Sequence, residues 1–242
     1  MPTSIRLPPM DAEEESAAIE RSVPRTAGTS SVPADQRSLA VQILTTEHFN
    51  VQSARAVATA ESSSRSALFL TVLSAALVAL ALAAQVAKPH DVLLLALLAL
   101  GIVFFLGIVS YLRVLATGIE DYLYVREMNR IRHFYVETVP QIERYLVLSH
   151  HDDPHSIHWS MGMHRGKSES LLTSAAAVGI VNSVVGGVLT ALAVQLAASP
   201  ARGVTISVGL AATVLIALGL LVHGRRRWRK ADEMAPPRFA EP

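Results

Sequence analysis

The sequence predicts an all-α integral membrane protein with four transmembrane helices in two hairpins and long cytosolic helical extensions. Its apolar residues are 51% of the chain and are concentrated in four uncharged stretches. Each stretch is long enough to cross a bilayer, since a helix needs about 20 apolar residues to span the hydrocarbon core. The four predicted spans are residues 66–87, 92–112, 170–201 and 203–222.

The distribution of positive charge predicts the orientation of these spans. Nineteen of the 21 Lys and Arg residues lie before the first span, between the second and third, or after the fourth. The other two, Lys88 and Arg202, lie in the short turns within each hairpin. Because cationic loops stay on the cytoplasmic side, we expect a multi-pass protein of the plasma membrane with both termini cytoplasmic.

The chain before the first span divides into two parts. Residues 1–36 combine prolines with acidic and small polar residues and lack the apolar core of a signal peptide, so we expect a disordered cytosolic tail. Residues 37–65 contain no Pro or Gly, and we expect a cytosolic helix that leads directly into the first span. Glu61 and Arg65 are spaced to attract each other on that helix. Residues 66–112 then form the first transmembrane hairpin.

Residues 113–169 are predicted to be a cytosolic helical segment that ends in a histidine-rich loop. The second span is expected to continue inward as a helix from Tyr111 to about Glu137. A short helix from Val139 to Leu148 follows, since Thr138 and Gln141 have capping-box spacing. The histidines after it are assigned to a loop.

Residues 170–222 form the second transmembrane hairpin, and residues 223–242 are expected to be a basic, disordered cytosolic tail. Small residues recur at every fourth position of the third span and also occur in the fourth, so helix backbones there can approach closely. Either the third and fourth spans pack on each other, or the stripe is an oligomer seam. The candidate helix-packing residues are Ala175, Gly179, Ser183, Gly187, Ala191 and Gly209.

Two stretches carry a family resemblance. They are the run TEHFNVQSARAVATAESSSRSALFLTVLSAALVALALAAQV, which begins at Thr46, and EDYLYVREMNRIRHFY, which begins at Glu120 and is followed by HHDD. In these stretches the chain resembles a group of actinobacterial integral membrane proteins with no assigned activity. The resemblance implies membrane residence and a type of host, and it implies no reaction.

The histidine-rich loop is the candidate site for chemistry. Imidazole and carboxylate groups are usual ligands of zinc and other divalent transition metals, and the candidate metal ligands are His150, His151, His155 and His158. A pH-responsive loop and a plain polar connector are the alternative interpretations, because the histidines have no fixed ligand spacing.

The sequence predicts a non-enzymatic scaffold or interaction protein that acts through its cytosolic helices. It contains no cysteine, which excludes thiol catalysis, and no nucleophile or phosphate-loop motif, so we predict no cofactor. A net charge of +1 argues against nucleic acid as a partner; the expected partners are membrane lipids, a second copy and a cytosolic protein.

Two alternatives remain open at this point. An oligomeric channel or pore is suggested by the layout, which is similar to that of small helix-plus-two-span bacterial effectors, the SLATT proteins. A metal-binding membrane sensor or enzyme would use the histidine loop instead.

Overall fold

The computed structural model describes residues 34–162 and 173–241, and the secondary structure of these residues is entirely helical. The predicted all-α class is confirmed. The chain divides into two compact units, Met1–Gln42 and Ile43–Pro242, and all contacts given below lie in the second. In order, the elements are α1 (Ala34–Val86), α2 (Pro89–Thr138), a 3₁₀ helix (Pro140–Tyr145), α3 (Pro154–Ser160), α4 (Ser174–Ala198) and α5 (Arg202–Met234).

Four of these helices, α1, α2, α4 and α5, are long and apolar enough to cross a membrane. The chain is therefore a multi-pass membrane protein. The first two helices have 53 and 50 residues, which at 1.5 Å per residue corresponds to about 80 and 75 Å. Because a hydrocarbon core is about 30 Å thick, more than half of each helix extends beyond it.

Ion pairs join the extramembrane parts of α1 and α2. Arg55 Nε donates to Asp121 Oδ1 at 2.7 Å, and Arg113 donates through Nε and Nη2 to the two oxygens of Glu61, at 2.7 and 2.8 Å. Earlier residues of α1 thus pair with later residues of α2. Arg65 lies 3.8 Å from Glu61, so the pairing expected within α1 is present but is longer than the pairing with α2.

Helix α2 packs against α4 and α5 where glycines bring the backbones close. A Cβ placed on Gly179 would lie 3.2 Å from the ring of Tyr111, and one on Gly186 would lie 2.6 Å from both Phe104 and Ile216. The Tyr111 hydroxyl donates to the carbonyl of Leu220 on α5 at 2.6 Å. Small residues in α4 therefore admit the large side chains of both neighbours.

The stripe of small residues on α4 lies against α5 of the same chain at two places. A Cβ on Gly187 would lie 1.9 Å from Thr213 Oγ1 and 2.6 Å from the carbonyl oxygen of Gly209. A Cβ on Gly209 would lie 3.0 Å from Ala191 Cβ. Ser183, which is buried, uses its hydroxyl to bond the carbonyl of Gly179 within α4, and Ala175 packs at the edge of the same core.

Asn182 lies at the meeting point of three helices and is completely buried. A Cβ on Gly107 of α2 would lie only 2.0 Å from Asn182 Oδ1 and 2.7 Å from the ring of Phe69 on α1. Neither amide atom of Asn182 has a hydrogen-bond partner among the described side chains and backbone. The amide of Asn182 therefore fills the space that Gly107 leaves on α2.

The structure corrects the predicted connections. The expected helix Val139–Leu148 is instead a 3₁₀ helix, Pro140–Tyr145, and the expected histidine loop contains the short helix α3. Asp153 caps α3 by accepting from the backbone N–H groups of His155 and Ser156, and Pro154 occupies its first turn. An Asp-Pro pair is a start signal for a helix, and the loop assignment overlooked it.

The carboxyl-terminal tail also differs from the expectation of disorder. Helix α5 continues to Met234, well past the end of the fourth predicted span, and residues 235–241 pack on the end of α2. At the other end, disorder was predicted for residues 1–36. Residues 34–36 are instead the first residues of α1, and residues 1–33 lie outside the described part of the chain, as do residues 163–172.

We predict that Gly187→Ala lowers the free energy of unfolding by about 1–3 kcal/mol, since the added methyl group would overlap Thr213 and the Gly209 backbone. Gly219→Ala is the matched control, because a Cβ there meets nothing within 4 Å. Thermal unfolding in detergent micelles measures both. An equal effect of the two substitutions would show that the contact between α4 and α5 is not tight.

Candidate functional site

Polar side chains outside the spans form a connected layer at the end of α2. The layer joins α2 to the histidine segment (residues 149–160) and to the tail segment (residues 235–241). Four of its polar or charged residues are at most 2% exposed. They are Arg126, Asn129, Asp152 and Ser156. Buried charges need partners, and each of the two ionic side chains in this set has several.

Asp152 ties the tail segment to the histidine segment. Its carboxylate accepts from the backbone N–H groups of Arg238 and Phe239, with shortest distances of 2.9 and 2.7 Å, and from Arg130 Nε at 2.6 Å. Its own N–H donates to the Phe239 carbonyl at 3.1 Å. Burial by itself would raise the pKa of Asp152. The hydrogen bonds together lower it by more than burial raises it, so the pKa of Asp152 lies below the ordinary value.

Arg126 ties the tail to α5 in the same way. Its guanidinium donates to Asp232 at 2.9 Å, to the Tyr122 hydroxyl at 2.7 Å, and to the carbonyl of Ala235. Tyr122 in turn donates to Asp232 at 2.7 Å. Burial, and then the hydrogen bond to Asp232, raise the pKa of Tyr122. The phenol therefore remains a hydrogen-bond donor at neutral pH.

Asn129 positions the histidine segment on α2. Its Nδ2 donates to the carbonyl of His151 at 2.8 Å, and its Oδ1 accepts from Arg132 at 2.7 Å. The N–H of His151 donates to Ser149 Oγ at 3.0 Å. Both polar groups of the His151 backbone are thus held, and its imidazole has a defined place beside α2.

Three histidines meet at this place. His133 of α2 joins His150 and His151, and each offers one ligand atom such that all three lie within 4.8 Å of one another. The ring centroids of His150 and His151 are 4.2 Å apart, and that of His133 lies 5.5 Å from His150. The pKa of His150 is lowered, first by burial and then by His151, which favours the neutral imidazole.

The tail segment covers one side of this group, which we call the triple-histidine cluster. The ring of Phe239 stacks on His133 with centroids 4.1 Å apart and an angle of 21° between the planes. Because the Phe239 backbone is held by Asp152, the same clamp that fixes the tail also sets the position of the His133 ring.

The structure brings together only half of the histidines predicted as ligands. His150 and His151 belong to the triple-histidine cluster, whereas His155 and His158 are exposed on α3. His155 contributes its backbone N–H to the Asp153 cap, and the ring of His158 lies 6.0 Å from that of Tyr122. The missed member is His133, which is 17 residues earlier and indistinguishable by spacing from an ordinary surface residue of α2.

No family model, curated protein or solved structure matches this chain.

We predict that Asp152→Asn releases the tail segment. The substituted amide keeps the shape but loses the charge and one acceptor oxygen, and hydrogen bonds to a charged group contribute about 1.5–3 kcal/mol. Exchange of the Arg238 and Phe239 amide protons should accelerate by about tenfold or more. Asp91→Asn, at an exposed position on α2, serves as the control. Unchanged exchange at both amides would contradict the clamp.

Proposed function

We propose that this protein is a non-enzymatic scaffold of the plasma membrane that associates with a second copy of itself along α1. Both termini and the polar layer face the cytoplasm in this proposal, where the layer is available to a cytosolic protein. The observation on which the proposal rests is the polarity of α1 outside the membrane. Apart from Arg65, its charged side chains from Ile43 onward are partly covered by its own chain, as are the buried Val51 and Ala58, and the residues that it leaves exposed are uncharged.

The charged side chains of α1 before the span lie, except for Arg65, on its inward face. Among residues 43–65, Glu47, Arg55 and Glu61 are all partly covered. Arg55 and Glu61 form the two ion pairs with α2 described above. Val51 and Ala58 are buried on the same face. A helix next to water usually places its charged residues on the opposite, exposed face.

The outward face is almost free of charge. Among the exposed residues from Ile43 to Leu70 a single one, Arg65, is charged. Phe49 and Val57 are 63% and 68% exposed. Exposed residues recur at alternating steps of four and three along one line, which we call the α1 seam: Phe49, Ser53, Ala56, Ala60, Ser63, Ala67 and Leu70.

This spacing is that of a coiled coil, in which a seam repeats every 3.5 residues. Most residues of the α1 seam are small, so two helices could approach closely along it. The same steps continue into the span as Ser74, Leu77, Ala81 and Ala84, which are also exposed. One partner helix could therefore follow α1 from the water into the bilayer without a break.

A second copy of the chain satisfies these requirements best. The occupant must itself be a long helix that leaves the membrane at the same level, and it must have no charge on its contact face. Another α1 has both properties, and insertion in the same membrane orients it in parallel. Burial of Phe49 and its neighbours would then remove apolar surface from water.

The self-association is tested by a cysteine scan of residues 52–64. Because the sequence contains no cysteine, every crosslink comes from the introduced residue. Oxidative crosslinking in native membranes should peak at Ser53, Ala56, Ala60 and Ser63. It should fall at Val57, which is equally accessible but about 90° away from the centre of the seam. A Glu at Ala60 should abolish the dimer. Absence of crosslinks at every position would overturn the proposal, and a period other than 3.5 would overturn the parallel seam.

The orientation is tested separately with single cysteines and a membrane-impermeant maleimide. Lys88→Cys, in the turn between the first two spans, should be labelled in intact cells. Val147→Cys, which is 88% exposed in the extramembrane layer, should be labelled only after permeabilisation. The opposite pattern would place the polar layer outside the cell and contradict the orientation expected from the charge distribution.

Solute flux from liposomes containing the dimer would favour a pore over a scaffold.

A further inference from the structure

We propose that His133, His150 and His151 form a binding site for a divalent transition metal, with Zn²⁺ as its best-matched ion. The site would join α2 to the histidine segment beneath the tail. It is independent of the association along α1, because none of its residues lies on that helix. Three neutral imidazoles with an open fourth position are a known ligand set of zinc.

The geometry of the three side chains is close to that of a bound site. Ligand nitrogens around a tetrahedral zinc, with Zn–N bonds of about 2.0–2.1 Å, lie roughly 3.4 Å apart. The three nitrogens here are already within 4.8 Å, and the remaining distance is within reach of small rotations about the side-chain bonds. Consecutive residues can both contribute because His150 and His151 lie outside regular secondary structure and already place their rings side by side.

The environment of the ring nitrogens is compatible with a bound metal. Nδ1 of His133 and Nδ1 of His151 are buried and have no hydrogen-bond partner among the described residues. On the other side of the His133 ring, Nε2 lies 3.6 Å from Glu137 Oε1. A ligand histidine usually directs its second nitrogen to a carboxylate, which fixes the tautomer and strengthens the ligand. At 3.6 Å the contact is longer than a hydrogen bond, so Glu137 would move slightly closer to take this role, and Nδ1 of His133 would bind the ion.

The surroundings hold the ligands in place before any ion arrives. Asn129 fixes the backbone of His151, Arg130 holds Asp152, the next residue of the chain, and Phe239 stacks on His133. A site with an organised outer shell loses little conformational freedom on binding. Phe239 also covers one side of the cluster.

The first experiment is titration of the full-length, tag-free protein in detergent micelles with Zn²⁺ against a chromophoric chelator. We expect one equivalent of Zn²⁺ per chain. His133→Ala should weaken its affinity by about 100-fold or more, and Glu137→Gln by about tenfold. The double variant His155→Ala plus His158→Ala keeps the three ligands and should bind as the parent does. Loss of binding in that double variant, or retention of it in His133→Ala, would overturn the assignment.

The second experiment does not depend on whether a variant folds. Co²⁺ bound to the parent protein should show the intense visible absorption of a four- or five-coordinate nitrogen site, and Zn²⁺ should displace it. The weak absorption of a six-coordinate ion, or a stoichiometry that rises without saturation, would mean surface binding and would overturn the proposal.

Discussion

The structure depends on the continuity of α2, a single helix of 50 residues that leaves the membrane without a break. Each of the other described helices contacts it, either through side-chain ion pairs or by direct packing. In the bilayer its backbone hydrogen bonds are satisfied internally, as the solvent demands. Beyond the bilayer, Arg126, Asn129 and Arg130 of the same helix bond segments from distant parts of the sequence. The polar layer is therefore attached directly to a helix of the transmembrane bundle.

The polar layer is organised by buried charge. Asp152 is fully buried, and its ionised form is stabilised by two backbone N–H groups and one guanidinium. Arg126 is almost as buried and is matched by Asp232 and by the tail backbone. Removing one partner of such a group leaves the other uncompensated. The layer is therefore expected to hold the tail, the histidine segment and α2 as one cooperative unit rather than as three separate contacts.

The two proposed interaction sites occupy different surfaces for a physical reason. Arg55 and Glu61 of α1 form ion pairs with α2. The exposed face of α1 is therefore almost uncharged, and another helix can cover it. The triple-histidine cluster lies between α2 and the histidine segment, under Phe239, where two buried imidazole nitrogens have no hydrogen-bond partner among the described residues. One surface offers shape and apolar area, and the other offers ligand atoms, so their occupants differ in kind.

The all-helical class and the four membrane helices were determined by the sequence alone. A segment in lipid must satisfy its own backbone polar groups, so a run of about 20 apolar residues specifies a helix locally. The uninterrupted helix after residue 37 was equally readable, because it contains no Pro or Gly. The start of α3 could have been predicted from Asp153 and Pro154, and it was missed because Pro154, together with Ser156 and Gly162, was taken as a sign of a loop.

The candidate sites were decided by tertiary structure. Glu61 has an obvious partner four residues away, yet its closest partner is Arg113, 52 residues on. His133 joins His150 and His151 only because Asn129 and Asp152 fold the histidine segment back onto α2. The α1 seam exists only because α2 covers the opposite side of that helix. The ion pair of Glu61, the triple-histidine cluster and the α1 seam all depend on which helix faces pack together, although the residues are far apart in the sequence. The spacing of residues within one helix does not show which faces pack together.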